Sequence, residues 1–348
     1  MARAARAPRA GPAAARRAGP VALSLLALAA VLVVSVTVGS VAVTPDRVWG
    51  ALMRGMAGEL AGPADVIVWS VRLPRALLAA GVGAALGLAG TAYQAVFRNP
   101  LADPYLLGAA SGAGFGAALV MVYGGVVPVL AQLGVGPVAF AFALAAVTVV
   151  VVLARRGGHL PVTSLILAGV VVGSSLSAGT SFVMLAARER STGVLSWLLG
   201  SFAFAGWDDV SRVLPAVAVA VLLGVAGRRA FDLLQLGDAS ARQLGLRVEA
   251  FKATVIALAT VLTAVAVAAC GVIGFVGLIT PHAVRLALGP GHATLVPLAA
   301  VWGATFLMAA DLLARTAIAP AEIPVGVVTA LAGGPFFLYL LRRGGGAT

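Results

Sequence analysis

The chain has 348 residues, of which 61% are hydrophobic and only 10% charged, with 24 Lys and Arg against 12 Asp and Glu. A soluble domain carries roughly 25% charged residues, so this composition excludes a water-soluble globule and indicates a polytopic membrane protein. A lone cysteine, Cys270, cannot form an internal disulfide, and three scattered histidines, His159, His282 and His292, do not make a zinc centre.

The first twenty residues, MARAARAPRAGPAAARRAGP, hold five Arg and no acid, and are expected to form a disordered cytoplasmic tail. A cleaved signal peptide is the rival reading, but the apolar run over 21–43 is long for one and suits a spanning helix. Hydropathy then predicts helices near 72–97, 105–123, 138–154, 164–187, 211–227, 251–270, 276–288, 294–315 and 324–341. The eighth, 276–288, is short and contains Pro281. Ten spans place both termini in the cytoplasm; nine would invert every loop after the eighth. Residues 21–343 are expected to form one transmembrane domain, with 344–348 a short tail.

Charge tests this topology. With ten spans, the whole formal charge of +12 falls on the cytoplasmic side, and the outer side sums to zero, as the positive-inside rule requires. The basic character therefore needs no nucleic-acid partner. Glycines four apart (Gly83 and Gly87; Gly108, Gly112 and Gly116; Gly169 and Gly173) are expected to let helices approach closely in the bilayer.

Chemical motifs are few. The one lysine, Lys252, follows Phe251, so there is no phosphate-binding G-x-x-x-x-G-K-[ST] loop. No acid lies at the centre of an expected span, where an ion-coupled carrier would use one. The last third nevertheless carries an ordered set of residues costly in a bilayer: Pro281, His282, Arg285, Asp311, Arg315, Glu322 and Pro324. Between the sixth and seventh spans lies RRAFDLLQLGDASARQLGLRVEAFK, residues 228–252. A short helix over 239–244 is expected there, capped by the Asp238 carboxylate and ended by Gly245. Such a helix suits a groove on a partner.

These residues carry a resemblance. RLPRALLAAGVGAALGLAGTAYQAVFRNPLADPYLLGAASGAG at 72–114, LGDASARQLGL at 236–246, GFVGLITPHAVRL at 274–286, ADLLAR at 310–315 and EIPVGVVTALAGGPFF at 322–337 stand in order. Together they resemble the FecCD-type permeases of ATP-binding-cassette importers for ferric siderophores, haem and cobalamin, over about residues 21–343. The resemblance implies an all-α permease with ten helices and no cofactor or metal of its own. It implies a second permease subunit, identical or related, enclosing a central pathway. Two ATPase subunits would dock on the coupling loop, at Leu236, Gly237, Asp238, Ala241, Arg242, Leu244 and Gly245. An external substrate-binding protein would meet three exposed arginines, Arg72, Arg75 and Arg315. Val162, Thr163 and Ser164 resemble the inner gate region, with Val162 in place of a small polar residue. Arg98, Asn99 and Pro100, with Pro281 and His282, are expected to fix helix ends and loops, and Glu322 and Pro324 belong to the last signature.

The expected cargo is a metal chelate, a ferric siderophore first, with haem, cobalamin and molybdate as alternatives. Rival classes are an ion-coupled carrier, which has no use for an ATPase-docking helix, and a membrane-embedded enzyme, for which no nucleophile or metal motif is present.

Overall fold

A computed structural model describes residues 12–39, 41, 43–187 and 191–344. Arg3, Arg6 and Arg9 of the basic tail, and Arg188, Glu189 and Arg190 of the outer charge count, lie outside the described residues. In chain order the helices are α1 (Pro12–Thr37), α2 (Pro45–Ala57), α3 (Pro63–Val66), α4 (Leu73–Phe97), α5 (Ala109–Tyr123), α6 (Pro128–Leu133), α7 (Val135–Ala154) and α8 (Val162–Ala187). They continue as α9 (Ser191–Leu198), α10 (Trp207–Ala226), α11 (Arg228–Gln235), α12 (Asp238–Gln243), α13 (Val248–Cys270), α14 (Val276–Leu288), α15 (His292–Thr316) and α16 (Val325–Gly344). Among the described residues the fold is all-α, with one isolated β-bridge between Arg156 and His159. Seven helical stretches are long and apolar enough to span a bilayer, and 109–123, 276–288 and 325–338 are shorter apolar helices. Helix α1 begins at Pro12, ahead of the apolar run over 21–43 in which the first span was expected.

The molecule is built around α4. Its stretch is 83% buried, ringed by α1, α10, α13, α14 and α15. Lipid tails are as apolar as leucine, so close packing rather than water exclusion holds such a bundle. A Cβ on Gly83 would sit 2.2 Å from the Gly303 carbonyl oxygen, and one on Gly303 would sit 2.2 Å from that of Gly83. Only glycine at both places lets α4 and α15 touch backbone to backbone. Gly112 meets Phe142 O on α7, and Gly169 meets Leu106 O, in the same way. Gly108 differs from the expectation. It caps α5 at φ 82, where its role is conformational, and a Cβ there would meet nothing nearer than 3.7 Å.

Ahead of α4 the chain makes a π-helical turn over Ile67–Arg72, and the Leu73 amide bonds back to Val68 O. Pro74 has no N–H and its ring crowds the preceding turn. The wider turn accommodates it and carries both Arg72 and Arg75 into the protein. At the far end of α13 the helix stops at Gly271 (φ 77), and α14 starts after Phe275 at φ 70. This break explains why α14 is short.

Candidate coupling and docking sites

Polar side chains gather at the two ends of the bundle. At one end meet the close of α1, the start of α4, the last turn of α15 and the loop before α16. Arg75 is their centre: Nε lies 3.1 Å from both Asp311 oxygens, Nη2 2.8 Å from Asp311 Oδ1, and Nη1 and Nη2 lie 3.0 and 2.9 Å from Glu322. Arg315 stands 3.8 Å from Asp311 and donates to Ser35 O. Arg72 donates to Val36 O, Thr37 O and Val41 O, so it holds the exit of α1.

The expected exposure of these arginines is corrected. Arg72 is 4%, Arg75 8% and Arg315 9% exposed within the single chain. Three arginines at membrane depth are affordable only with charged or carbonyl partners, and the fold supplies them from elements far apart in sequence. The member open to solvent is Glu322, with 40% of its side chain exposed. Beside it Pro324 leads into α16.

Two surface features of this end went unread in the sequence. Helix α2 is amphipathic, with Trp49 and Met56 largely exposed. Arg54 at its end clasps Asp65 through two 2.7 Å bonds. A short amphipathic turn between spans leaves no long apolar window, so hydropathy passes over it; Pro45 at its first turn and Gly58 at its close were the available signals.

At the opposite end, α11 and α12 form the connection over 228–247. The helix predicted at 239–244 occupies Asp238–Gln243, introduced by Gly237 (φ 97) and closed before Gly245 (φ 88). Ala241 is fully buried, whereas Leu236 and Leu244 are 60% and 59% exposed, one on each flank. Arg242 is exposed too. The expected cap by Asp238 is corrected: its carboxylate makes no cap bond and instead accepts from the buried Lys252 Nζ at 2.5 Å. An ammonium sealed beside α12 outcompetes a backbone amide for that oxygen. The only lysine of the chain thus anchors this helix to α13, a role that its sequence surroundings did not signal.

Glu249, on the first turn of α13, joins three segments. Its Oε1 accepts from Arg242 Nη2 at 3.0 Å, its Oε2 accepts from the Leu160 amide at 3.0 Å, and His159 Nδ1 lies 3.3 Å away. Leu160 lies two residues before the start of α8, whose first residues are Val162, Thr163 and Ser164. The short helix and the start of α8 are therefore tied to one carboxylate. The sequence separates Glu249 from Leu160 by 89 residues, so no spacing could reveal this.

The remaining motif residues pin backbone. Arg98 ends α4 in the left-handed region at φ 48, and Asn99 Oδ1 accepts from the Leu101 amide on the turn through Pro100. Asp103 accepts from the Tyr105 amide at 2.7 Å, and burial pushes its carboxyl up to about 6. Tyr105 Oη donates to Ile273 O, joining this loop to the break before α14. Pro281 and His282 do not mark a helix end. They lie inside α14, with the His282 ring edge-on to Phe336 of α16. On the same helix Arg285 donates to Gln94 Oε1 of α4 at 3.1 Å. Among the described residues no cluster of His, Cys, Asp and Glu is arranged to hold a metal ion.

Comparison with known proteins places this architecture. The model of the FecCD transport family matches residues 26–343. A cobalamin import system permease protein of Halobacterium salinarum is 42% identical over 336 residues, covering 93% of this chain and 89% of the relative. A hemin transport system permease protein of Yersinia pestis is 40% identical, over 79% of this chain and 83% of its own. An Fe(3+) dicitrate transport system permease protein of Escherichia coli is also 40% identical, over 80% and 85%. A solved structure of a metal-chelate type ABC transporter in an inward-facing conformation superposes with a TM-score of 0.82 at 29% identity, over 93% of this chain and 99% of that one.

Proposed function

Because the chain belongs to the FecCD transport family and is the permease of a metal-chelate type ABC importer, we propose that it carries a ferric siderophore into the cytoplasm by alternating access. Hydrolysis of ATP belongs to separate subunits. Haem and molybdate are lesser alternatives; cobalamin is the second reading, favoured by the 42% identity to the Halobacterium permease.

The observation that carries the mechanism is the Glu249 junction. ATPase subunits dock on α12, where Leu236 and Leu244 offer apolar anchors and Arg242 a charge. A push on α12 moves Arg242, and Glu249 passes that shift to Leu160 and hence to the foot of α8, where Val162, Thr163 and Ser164 form the inner gate. Closed interfaces of this sort move as rigid bodies rather than deforming. The end bearing Arg98, Arg155, Arg228, Arg229, Arg242 and Arg247 is the cytoplasmic one by the positive-inside rule.

The pathway lies against α8. It is apolar and 26 residues long, yet only 11% of its spanning window is buried in the single chain. Its exposed Ser175 and Ser181 satisfy their hydroxyls on its own carbonyls. A second permease subunit packs here and leaves a lightly polar lining between the two. The external binding protein docks at the opposite end, above Arg72, Arg75 and Arg315. A partner carboxylate reaches Arg75 by displacing Glu322, the one exposed member of the cluster.

The test is uptake into proteoliposomes holding the permease, its ATPase and the binding protein, offered radiolabelled ferric siderophore, cyanocobalamin or haemin. ATP-dependent accumulation of the siderophore is expected. Accumulation of cobalamin alone moves the cargo to the second reading, and accumulation of no chelate overturns the proposal.

A further inference from the structure

A cavity of about 470 Å³ lies between α10 and α13, floored by α4. Its lining is almost wholly apolar, and residues on its rim, Val219, Leu223 and Leu258, are 54%, 47% and 45% exposed. It is therefore a groove open sideways to the bilayer. It begins beside Gly227, Phe231 and Phe251 at the basic end of the bundle and reaches Pro215 and Leu262. From Gly227 to Pro215 is twelve helical residues, about 18 Å at 1.5 Å each. Half of a hydrocarbon core about 30 Å thick is about 15 Å. The groove thus has the length of one leaflet and begins where that leaflet's headgroups lie.

Two arginines open α11 where the groove ends at Gly227. Arg228 and Arg229 follow Gly227 directly; Arg229 is exposed, and Arg228 makes one bond, from Nη1 to Val225 O. Among the described residues neither pairs with a carboxylate; nearby Asp232 is engaged with His292 at 2.7 Å. Cations at headgroup level attract anionic lipid, and an apolar slot of leaflet length suits an acyl chain. We infer that this groove binds one anionic phospholipid of the cytoplasmic leaflet, with an acyl chain along α10 and α13 and its phosphate on Arg228 and Arg229. The lipid would brace α11 against the bundle, because Phe231 lines the groove and stacks on His292.

The test uses the assembled importer in nanodiscs, with phosphatidylglycerol or phosphatidylcholine carrying a photoreactive acyl chain, and maps the labelled peptides. Labelling of α10 and α13 around Val219 and Leu258 is expected to favour phosphatidylglycerol roughly ten- to thirty-fold, from about one unit of surface attraction per arginine. The double variant Arg228→Gln, Arg229→Gln is expected to equalise the two lipids without disturbing the fold, since Arg229 is exposed and half-buried Arg228 makes a single bond, to a backbone carbonyl. Ala220→Phe, which fills the slot, is expected to remove labelling there while exposed Leu26 on α1 stays labelled. Equal labelling by both lipids in the wild type, or undiminished labelling in both variants, overturns the inference.

Discussion

Arg75 shows how a single side chain can be legible in type and opaque in role. Its place in RLPR marks it out in the sequence, but its partners, Asp311 and Glu322, lie 236 and 247 residues away, so its burial could not be read there. Removing one member of a buried ion pair leaves the other charge unpaired and costs about 3–5 kcal/mol. Arg75→Ala is therefore expected to lower the thermal unfolding midpoint sharply, whereas the exposed Arg47→Ala should change stability by no more than about 0.5 kcal/mol. The docking proposal makes a separate prediction. Glu322→Gln weakens the lid over Arg75, so the binding protein should associate faster and with steeper salt dependence. An unchanged rate in surface plasmon resonance would show that docking does not use this arginine. Lys252 carries the same lesson at the other end. Sequence reasoning noted it only for lacking a phosphate loop, yet its ion pair to Asp238 positions α12.

Among the elements, long apolar helices were the most legible. The segments expected at 138–154, 164–187 and 251–270 appear as Val135–Ala154, Val162–Ala187 and Val248–Cys270, because a spanning helix must satisfy its own backbone and cover a fixed thickness of apolar residues. Short amphipathic elements such as α2 and α11 were not legible, since packing rather than hydropathy decides them. Glycine spacing marked faces of close approach but named no partner helix and could not separate contacts of different tightness. Gly303→Ala would press a Cβ into a backbone carbonyl that cannot rotate away, and overpacking of this kind costs about 1–3 kcal/mol or more. Gly173→Ala meets only Ser111 Oγ at 3.5 Å and should be tolerated. Melting curves of the two variants in detergent test this contrast; equal loss would mean that α4 and α15 are not in backbone contact. For α12, Leu236→Ser with Leu244→Ser should weaken co-purification of the ATPase while leaving the permease folded, because both side chains are exposed.

At the level of the whole molecule, charge and structure agree on two chemically distinct ends. Arg72, Arg75 and Arg315 converge at one, and Arg242, Glu249 and Lys252 at the other. Cys270 is 5% exposed, so the natural chain should give little background in thiol labelling. A cysteine at Glu59 should react from outside intact cells and one at Gln243 only after permeabilisation; the reverse pattern would invert the topology. In the proposed mechanism α12 drives the foot of α8 through Glu249. It is tested most directly by measuring chelate imported and ATP hydrolysed together in proteoliposomes bearing Glu249→Gln. The neutral amide keeps the size of the side chain but loses its charge-assisted bonds to Arg242 and the Leu160 amide. Continued hydrolysis is expected with import reduced several-fold, so that less chelate crosses per ATP. An unchanged ratio of chelate to ATP would contradict it.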